Sequence, residues 1–103
     1  MMGYVYDRDT LAGELGFSDG VYSFVYDESF LKNHPAISLT LPKQKEPFIS
    51  PHLHPFFANL LAEGNLKKLQ CKKLKIDEDD AFMRLLKTAF DDTIGTVTIR
   101  EKR

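Results

Sequence analysis

The stretch Leu11-Ala-Gly-Glu-Leu-Gly-Phe-Ser-Asp-Gly-Val-Tyr-Ser-Phe-Val-Tyr26 decides the fold. Leu11, Gly13, Leu15 and Phe17 alternate with Ala12, Glu14, Gly16 and Ser18, the period of two of a strand with one face turned inward. Asp19-Gly20 follows, a pair that a two-residue type I′ turn favours because both of its central residues need positive φ. Val21–Tyr26 alternates again, with Val21, Ser23 and Val25 set against Tyr22, Phe24 and Tyr26. This is a β-hairpin, and the remaining chain has to be built around a sheet.

On the N-terminal side, residues 3–7 are aromatic and β-branched, the composition of a strand. On the C-terminal side, Asp27-Glu28-Ser29 reads as a turn or helix start with Phe30 and Leu31 as its anchors. His34-Pro35 forces extended backbone. Ile37, Leu39 and Leu41 then alternate with Ser38 and Thr40, so residues 36–41 are predicted as a strand that Pro42 ends. Residues 42–55 hold four of the five prolines and read as a long surface loop, a candidate functional surface. Pro55 suits the first turn of a helix, and Phe56, Phe57, Leu60 and Leu61 make residues 55–62 a short buried one. Glu63-Gly64-Asn65 breaks it.

A second helix follows, carried by Leu66, Leu69 and Leu74 and lysine-rich on its other faces. Asp77 is predicted to start a third, with Asp80 at the reciprocal capping position and an apolar stripe of Phe82, Leu85, Leu86, Ala89 and Phe90. Residues 91–95 read as a turn, and residues 96–100 as a closing strand with Val97 and Ile99 facing inward. The expectation is one α+β domain over residues 1–103: a small, largely antiparallel sheet with about three helices packed on one face.

Composition narrows the function. A chain of 103 residues, 43% hydrophobic and 28% charged, is globular rather than a disordered tail. It is too short for a complete protein kinase, dinucleotide dehydrogenase or barrel enzyme. A net charge of −1 lends no bulk support to nucleic-acid binding. The single cysteine, Cys71, excludes an internal disulfide framework and a cysteine zinc site. Met1-Met2-Gly3-Tyr4 has no basic segment leading into an apolar run, and no stretch approaches 18 apolar residues, so the expected location is cytoplasmic. Charge is nonetheless segregated. Arg8 stands alone against six acids in residues 1–30, whereas residues 64–76 carry Lys67, Lys68, Lys72, Lys73 and Lys75 and no acid. Such a run is most simply a solvated helix face; its functional reading is contact with an acidic partner or a phosphate backbone.

Other constellations carry little chemistry. His52-x-His54 lacks a third ligand at metal-site spacing and reads as two loop histidines between prolines. Gly13-x-x-Gly16 with Gly20 lies within a strand pair rather than between a strand and a helix, and no phosphate-loop lysine follows. Asp77-Glu78-Asp79-Asp80 lacks the glycine and distal glutamate of a calcium loop and reads as a helix N-terminus. Cys71 is flanked by lysines but has no partner histidine. The Phe56-Phe57…Leu60-Leu61 cluster reads as core. No nucleophile–base pair, acid pair or metal cage emerges, so the chain is expected to be a binding module with no enzyme activity, cofactor or metal.

Three segments in order resemble the N-terminal subdomain of HipA-type toxin kinases. Phe24-Val-Tyr-Asp-Glu-Ser-Phe-Leu31 leading into Ile37-Ser-Leu-Thr-Leu-Pro42 is similar to that family's aromatic strand, short helix and S-L-S-L-P segment. Phe56-Phe-Ala-Asn-Leu-Leu-Ala-Glu-Gly64 is similar to its F-F-x-N-L-L-P-x-G helix end. Phe82-Met-Arg-Leu-Leu-Lys87 with Asp92-Thr-Ile-Gly-Thr-Val-Thr-Ile99 is similar to its F-x-L-L and D-x-x-G-A-V-x-I close. Ala62 departs from the family's proline, and Asn65 stands where an aromatic would make a better anchor.

The resemblance covers nearly the whole chain, which holds none of the kinase machinery and ends where the family's kinase core would begin. A protein of this content resembles the small HipS-type subunits of three-part toxin–antitoxin systems. What the resemblance implies is an antitoxin subunit that binds and inhibits a HipT-like Ser/Thr kinase toxin, with a HipB-like helix-turn-helix protein contacting DNA. The alternative is a non-catalytic structural N-terminal subdomain of a HipA-type kinase; a nucleic-acid module using Lys67–Lys75 is a third reading. The resemblance places the tip formed by Glu63, Gly64, Asn65, Leu66, Lys67 and Lys68 toward the partner kinase, with no direct contact to nucleic acid or membrane.

Overall fold

The structure, a computed structural model, describes residues 1–90 and 95–103. Its strands are β1 (Met2–Asp7), β2 (Thr10–Ser18), β3 (Val21–Tyr26), β4 (Phe48–Ser50) and β5 (Val97–Arg100). They form one antiparallel sheet in the spatial order β4-β3-β2-β1-β5. The helices are α1 (Glu28–Asn33), α2 (Pro55–Ala58), α3 (Gly64–Leu74) and α4 (Ala81–Thr88). The domain is α+β, as expected, with α1 joining the three helices read from the second half.

The hairpin of β2 and β3 forms as its turn residues dictate. Asp19 and Gly20 have φ of 52° and 76°, the paired positive values of a type I′ turn, and Ser18 faces Val21 across the end of the ladder. The simple alternation along β2 does not survive. Pairing with β1 jumps from Val5–Gly13 to Tyr6–Leu11, which leaves Ala12 as an extra residue on β2, a β-bulge. Ala12 is therefore buried along with Gly13, and Leu11 is only half-buried. Gly13 sits where backbones and rings crowd together: a Cβ there would lie 2.2 Å from the Val25 carbonyl oxygen and 2.9 Å from the Phe24 ring.

Val5, Leu15, Phe24 and Ile99 bring four strands to one buried face of the sheet. Phe30 of α1, Phe57 of α2, and Phe82 and Leu85 of α4 close the core over it. Each of these side chains is essentially fully buried, a contribution of about 1.5–3 kcal/mol apiece on transfer arithmetic. Phe24 lies 5.3 Å from Phe57 and 4.9 Å from Tyr26, centroid to centroid, so β3 is the aromatic centre of the layer. The aromatic members of β3 thus face inward and Val21, Ser23 and Val25 lie on the other face. The N–H of Ile99 on β5 is taken by the Ala89 carbonyl at 2.7 Å, which fastens the end of α4 to the sheet.

Several expected elements are corrected. Residues 36–41 are not a strand: Ser38 and Leu41 pair in an isolated tight turn, Leu39 is fully exposed, and Leu41 is buried in the core with Ala36 and Ile37 packed half-buried against it. The fourth strand is instead β4, inside the proline-rich residues 42–55. Phe48 pairs with Phe24, and the neighbouring prolines stay outside the three-residue ladder. The helix expected over 55–62 is shorter, continuing from Asn59 to Leu61 only as turns.

The helix expected to start at Asp77 starts at Ala81. Asp80 is itself the N-cap, accepting from the Met83 N–H, while Asp77 accepts from the Asp79 N–H in the turn before. Phe90 lies past the end of α4 and is exposed, so the stripe ends at Ala89. Most of the turn expected over 91–95 lies outside the described residues. Val97 and Ile99 are buried as expected.

Candidate partner-binding surface

The tip is assembled from both sides. Upstream, the His54 ring caps α2 by accepting the Phe56 N–H at Nδ1 (3.0 Å), and Phe57 pins that helix into the core. The chain then winds through turns whose Leu60 and Leu61 N–H groups donate to Phe57 and Ala58. At Ala62 it is held from below: Arg84 of α4, only 7% exposed, donates from Nη2 to the Ala62 carbonyl at 2.7 Å. Glu63 is extended and occupies the N-cap position of α3 without a side-chain capping bond, and Gly64 opens the helix with φ 62°. Downstream, α3 is anchored by Cys71, which is buried. It ends with left-handed Lys75 and an Ile76 N–H bond to the Cys71 carbonyl at 2.9 Å.

Glu63, Gly64, Asn65, Leu66 and Lys68 are exposed and Lys67 is half-buried, so the six residues form a continuous projecting corner. The leucines of α3 correct the reading of it as a helix with an apolar inner face. Leu66, Leu69 and Leu74 are 56%, 64% and 44% exposed; Cys71 is the inward residue. Packing decided this: α4, with the stronger stripe, occupies the sheet face, and α3 lies at its flank. Arg84 was not singled out by sequence reasoning. The available signal was its place inside the apolar stripe of Phe82, Leu85 and Leu86, where a charged side chain needs a built partner.

The remaining constellations stay structural. His54 is engaged as a helix cap, and His52 lies exposed at the mouth of a cavity of about 170 Å³ lined by Leu15, Phe24, Leu41, Phe48 and Phe57. Cys71 is a free, buried thiol. Asp77 and Asp80 organise the turn and cap described above. Among the described residues, no three His, Cys, Asp or Glu side chains are grouped to hold a metal ion, and no helix is long and apolar enough to cross a membrane.

The order of these elements and the corner at 63–68 can be set against known proteins. The family model described as HipA N-terminal domain matches residues 4–100. The chain belongs to the HipA N-terminal domain family. A solved structure described as the N-terminal domain of HipA toxin superposes with a TM-score of 0.70 at 31% identity, covering 99% of this chain and 94% of that one. A Haemophilus influenzae relative described only as an uncharacterized protein is 39% identical over 67 residues, 65% of this chain. The match spans less than two thirds of that relative, 62% of its length, which also makes the two chains of nearly equal size. In HipA N-terminal-domain terms, the aromatic segment is β3 with α1, the F-F-x-N-L-L segment is α2 with its following turns, and the closing strand is β5. All three surround one core.

Proposed function

We propose that this chain is a small antitoxin subunit that binds and inhibits a HipT-like Ser/Thr kinase toxin, leaving operator DNA to a HipB-like partner. The observation that carries the reading is the HipA N-terminal domain fold, built here with the corner of Glu63, Gly64, Asn65, Leu66, Lys67 and Lys68 projecting into solvent. Inhibition in this reading is by contact, with no catalysis by the chain and no cofactor. Asn65 and Leu66 reach the kinase, while Lys67 and Lys68 meet the carboxylates that line a metal–nucleotide site. A cytoplasmic location follows from that partner.

The test is co-purification with a HipT-like kinase, then a phosphorylation assay with and without the chain. Stable capture with loss of phosphorylation is expected, and Lys67→Glu with Lys68→Glu is expected to weaken both. ATP hydrolysis or autophosphorylation by the pure chain, abolished by a substitution within it, would overturn the non-catalytic reading.

The superposition on the N-terminal domain of HipA toxin favours a second reading, a structural N-terminal subdomain of a HipA-type kinase. Under it the kinase is active only with this domain present, so adding the chain raises phosphorylation instead of lowering it.

A further inference from the structure

The outward side of α3 has a composition that the core does not account for. Leu66 and Leu69, both more than half exposed, are three residues apart and lie on one stripe of the helix. Lys73, four residues after Leu69, continues that stripe, and Lys72 and then Lys68 follow along one side of it; all three lysines are exposed. The two ion pairs among the described residues, Lys32–Glu28 and Lys87–Glu101, use none of them. The nearest acids in sequence on the C-terminal side, Asp77, Glu78 and Asp79, lie beyond the end of the helix.

One exposed leucine is ordinary, but two adjacent ones with cations at one end and along one side have the layout of a docking patch: an apolar centre that loses water and a charged edge that stays wet. The charge selects the partner. Three lysines along its edge favour a surface whose own apolar patch is bordered by Asp and Glu. A nucleic acid backbone would engage the lysines and leave both leucines in water. We propose that Leu66 and Leu69, bordered at one end and along one side by Lys68, Lys72 and Lys73, dock on an acid-bordered apolar patch of the kinase. This rests on the kinase-binding reading above and extends the contact beyond the 63–68 corner, along two turns of α3.

The experiment uses residues outside that corner, so the two ideas fail separately. Binding of the full chain to a purified HipT-like kinase is measured by calorimetry at low and high salt for wild type, Leu69→Ser, and Lys72→Glu with Lys73→Glu. Circular dichroism confirms each fold. The expectation is a loss of about tenfold or more in affinity for each variant at low salt, with the wild type weakening as salt rises and the charge variant losing most of that dependence. Wild-type binding with both variants unchanged overturns the α3 contact and leaves the kinase reading standing. No wild-type binding overturns the kinase reading and this contact with it. A duplex DNA gel shift that needs Lys72 and Lys73 but tolerates Leu69→Ser, in a chain whose kinase binding both variants leave unchanged, reassigns the face to phosphate.

Discussion

Arg84 on α4 donates from Nη2 to the carbonyl oxygen of Ala62 at 2.7 Å, joining the core helix to the residue just before the projecting corner. A charged donor to a part-buried carbonyl is a strong hydrogen bond, worth about 1.5–3 kcal/mol net. It fixes where α3 begins without touching any residue of the corner itself. Arg84→Met keeps the apolar stem and removes the donor. Faster amide hydrogen exchange is expected over residues 63–68, with the β2–β3 hairpin protected as before. Unchanged exchange at the corner would show that α3 is held by Cys71 alone.

Gly20→Val tests the hairpin. At φ 76° a β-branched side chain costs about 1 kcal/mol or more, which lowers Tm by about 4–8 °C per kcal/mol in a domain of this size. A melting curve that superposes on wild type contradicts the turn assignment.

Gly13→Ala tests the bulge. The new methyl meets the Val25 carbonyl and the Phe24 ring with nowhere to move, so the expected cost is about 1–3 kcal/mol, read as a lower urea midpoint. The same substitution at Gly16 meets the Ser23 hydroxyl at 3.0 Å rather than backbone, and is expected to cost less.

Tyr26 holds the segment that failed to become a strand. Its hydroxyl donates to the Leu41 carbonyl and accepts the Ile37 N–H at 3.2 Å. Burial pushes its pKa above the ordinary tyrosine value, with the Ile37 N–H partly opposing; burial and nearby Asp80 raise that of Tyr22 as well. A raised folded-state pKa means the native protein keeps its proton longer than the unfolded chain. That stability is fully present below the unfolded value near 10 and is lost as pH climbs through the folded one. Urea midpoints are therefore expected to be flat in this respect below about pH 9 and to fall above about pH 10. Tyr26→Phe is expected to cost about 1–3 kcal/mol at neutral pH, because it leaves two backbone groups without their partner, and to blunt the alkaline fall. An alkaline profile identical to wild type would show that Tyr26 does not contribute to it.

What the sequence determined by itself is local or periodic. Asp19-Gly20 has one favoured conformation whatever surrounds it, and the flanking alternation then makes a hairpin. Asp27 precedes the apolar anchors of α1, and its side chain satisfies helix N–H groups without help from the rest of the fold; an aspartate cap ahead of α4 was equally legible, but that Asp80 rather than Asp77 supplies it was not. The spaced motifs of the family were legible for the same reason: each is a short packing unit.

Tertiary structure decided what depends on competition for one sheet face. Residues 36–41 offered a strand and residues 42–55 read as a loop, yet Phe48 took the sheet edge by pairing with Phe24 while Tyr26 drew Leu41 and Ile37 into a turn. The bulge at Ala12 has no sequence signature, because the extra residue exists only relative to β1. Leu66 and Leu69 read as core from hydrophobicity alone. They face solvent because Phe82, Leu85 and Leu86 of α4 already fill the face they would have taken, and the space available to a side chain is set by its neighbours in three dimensions.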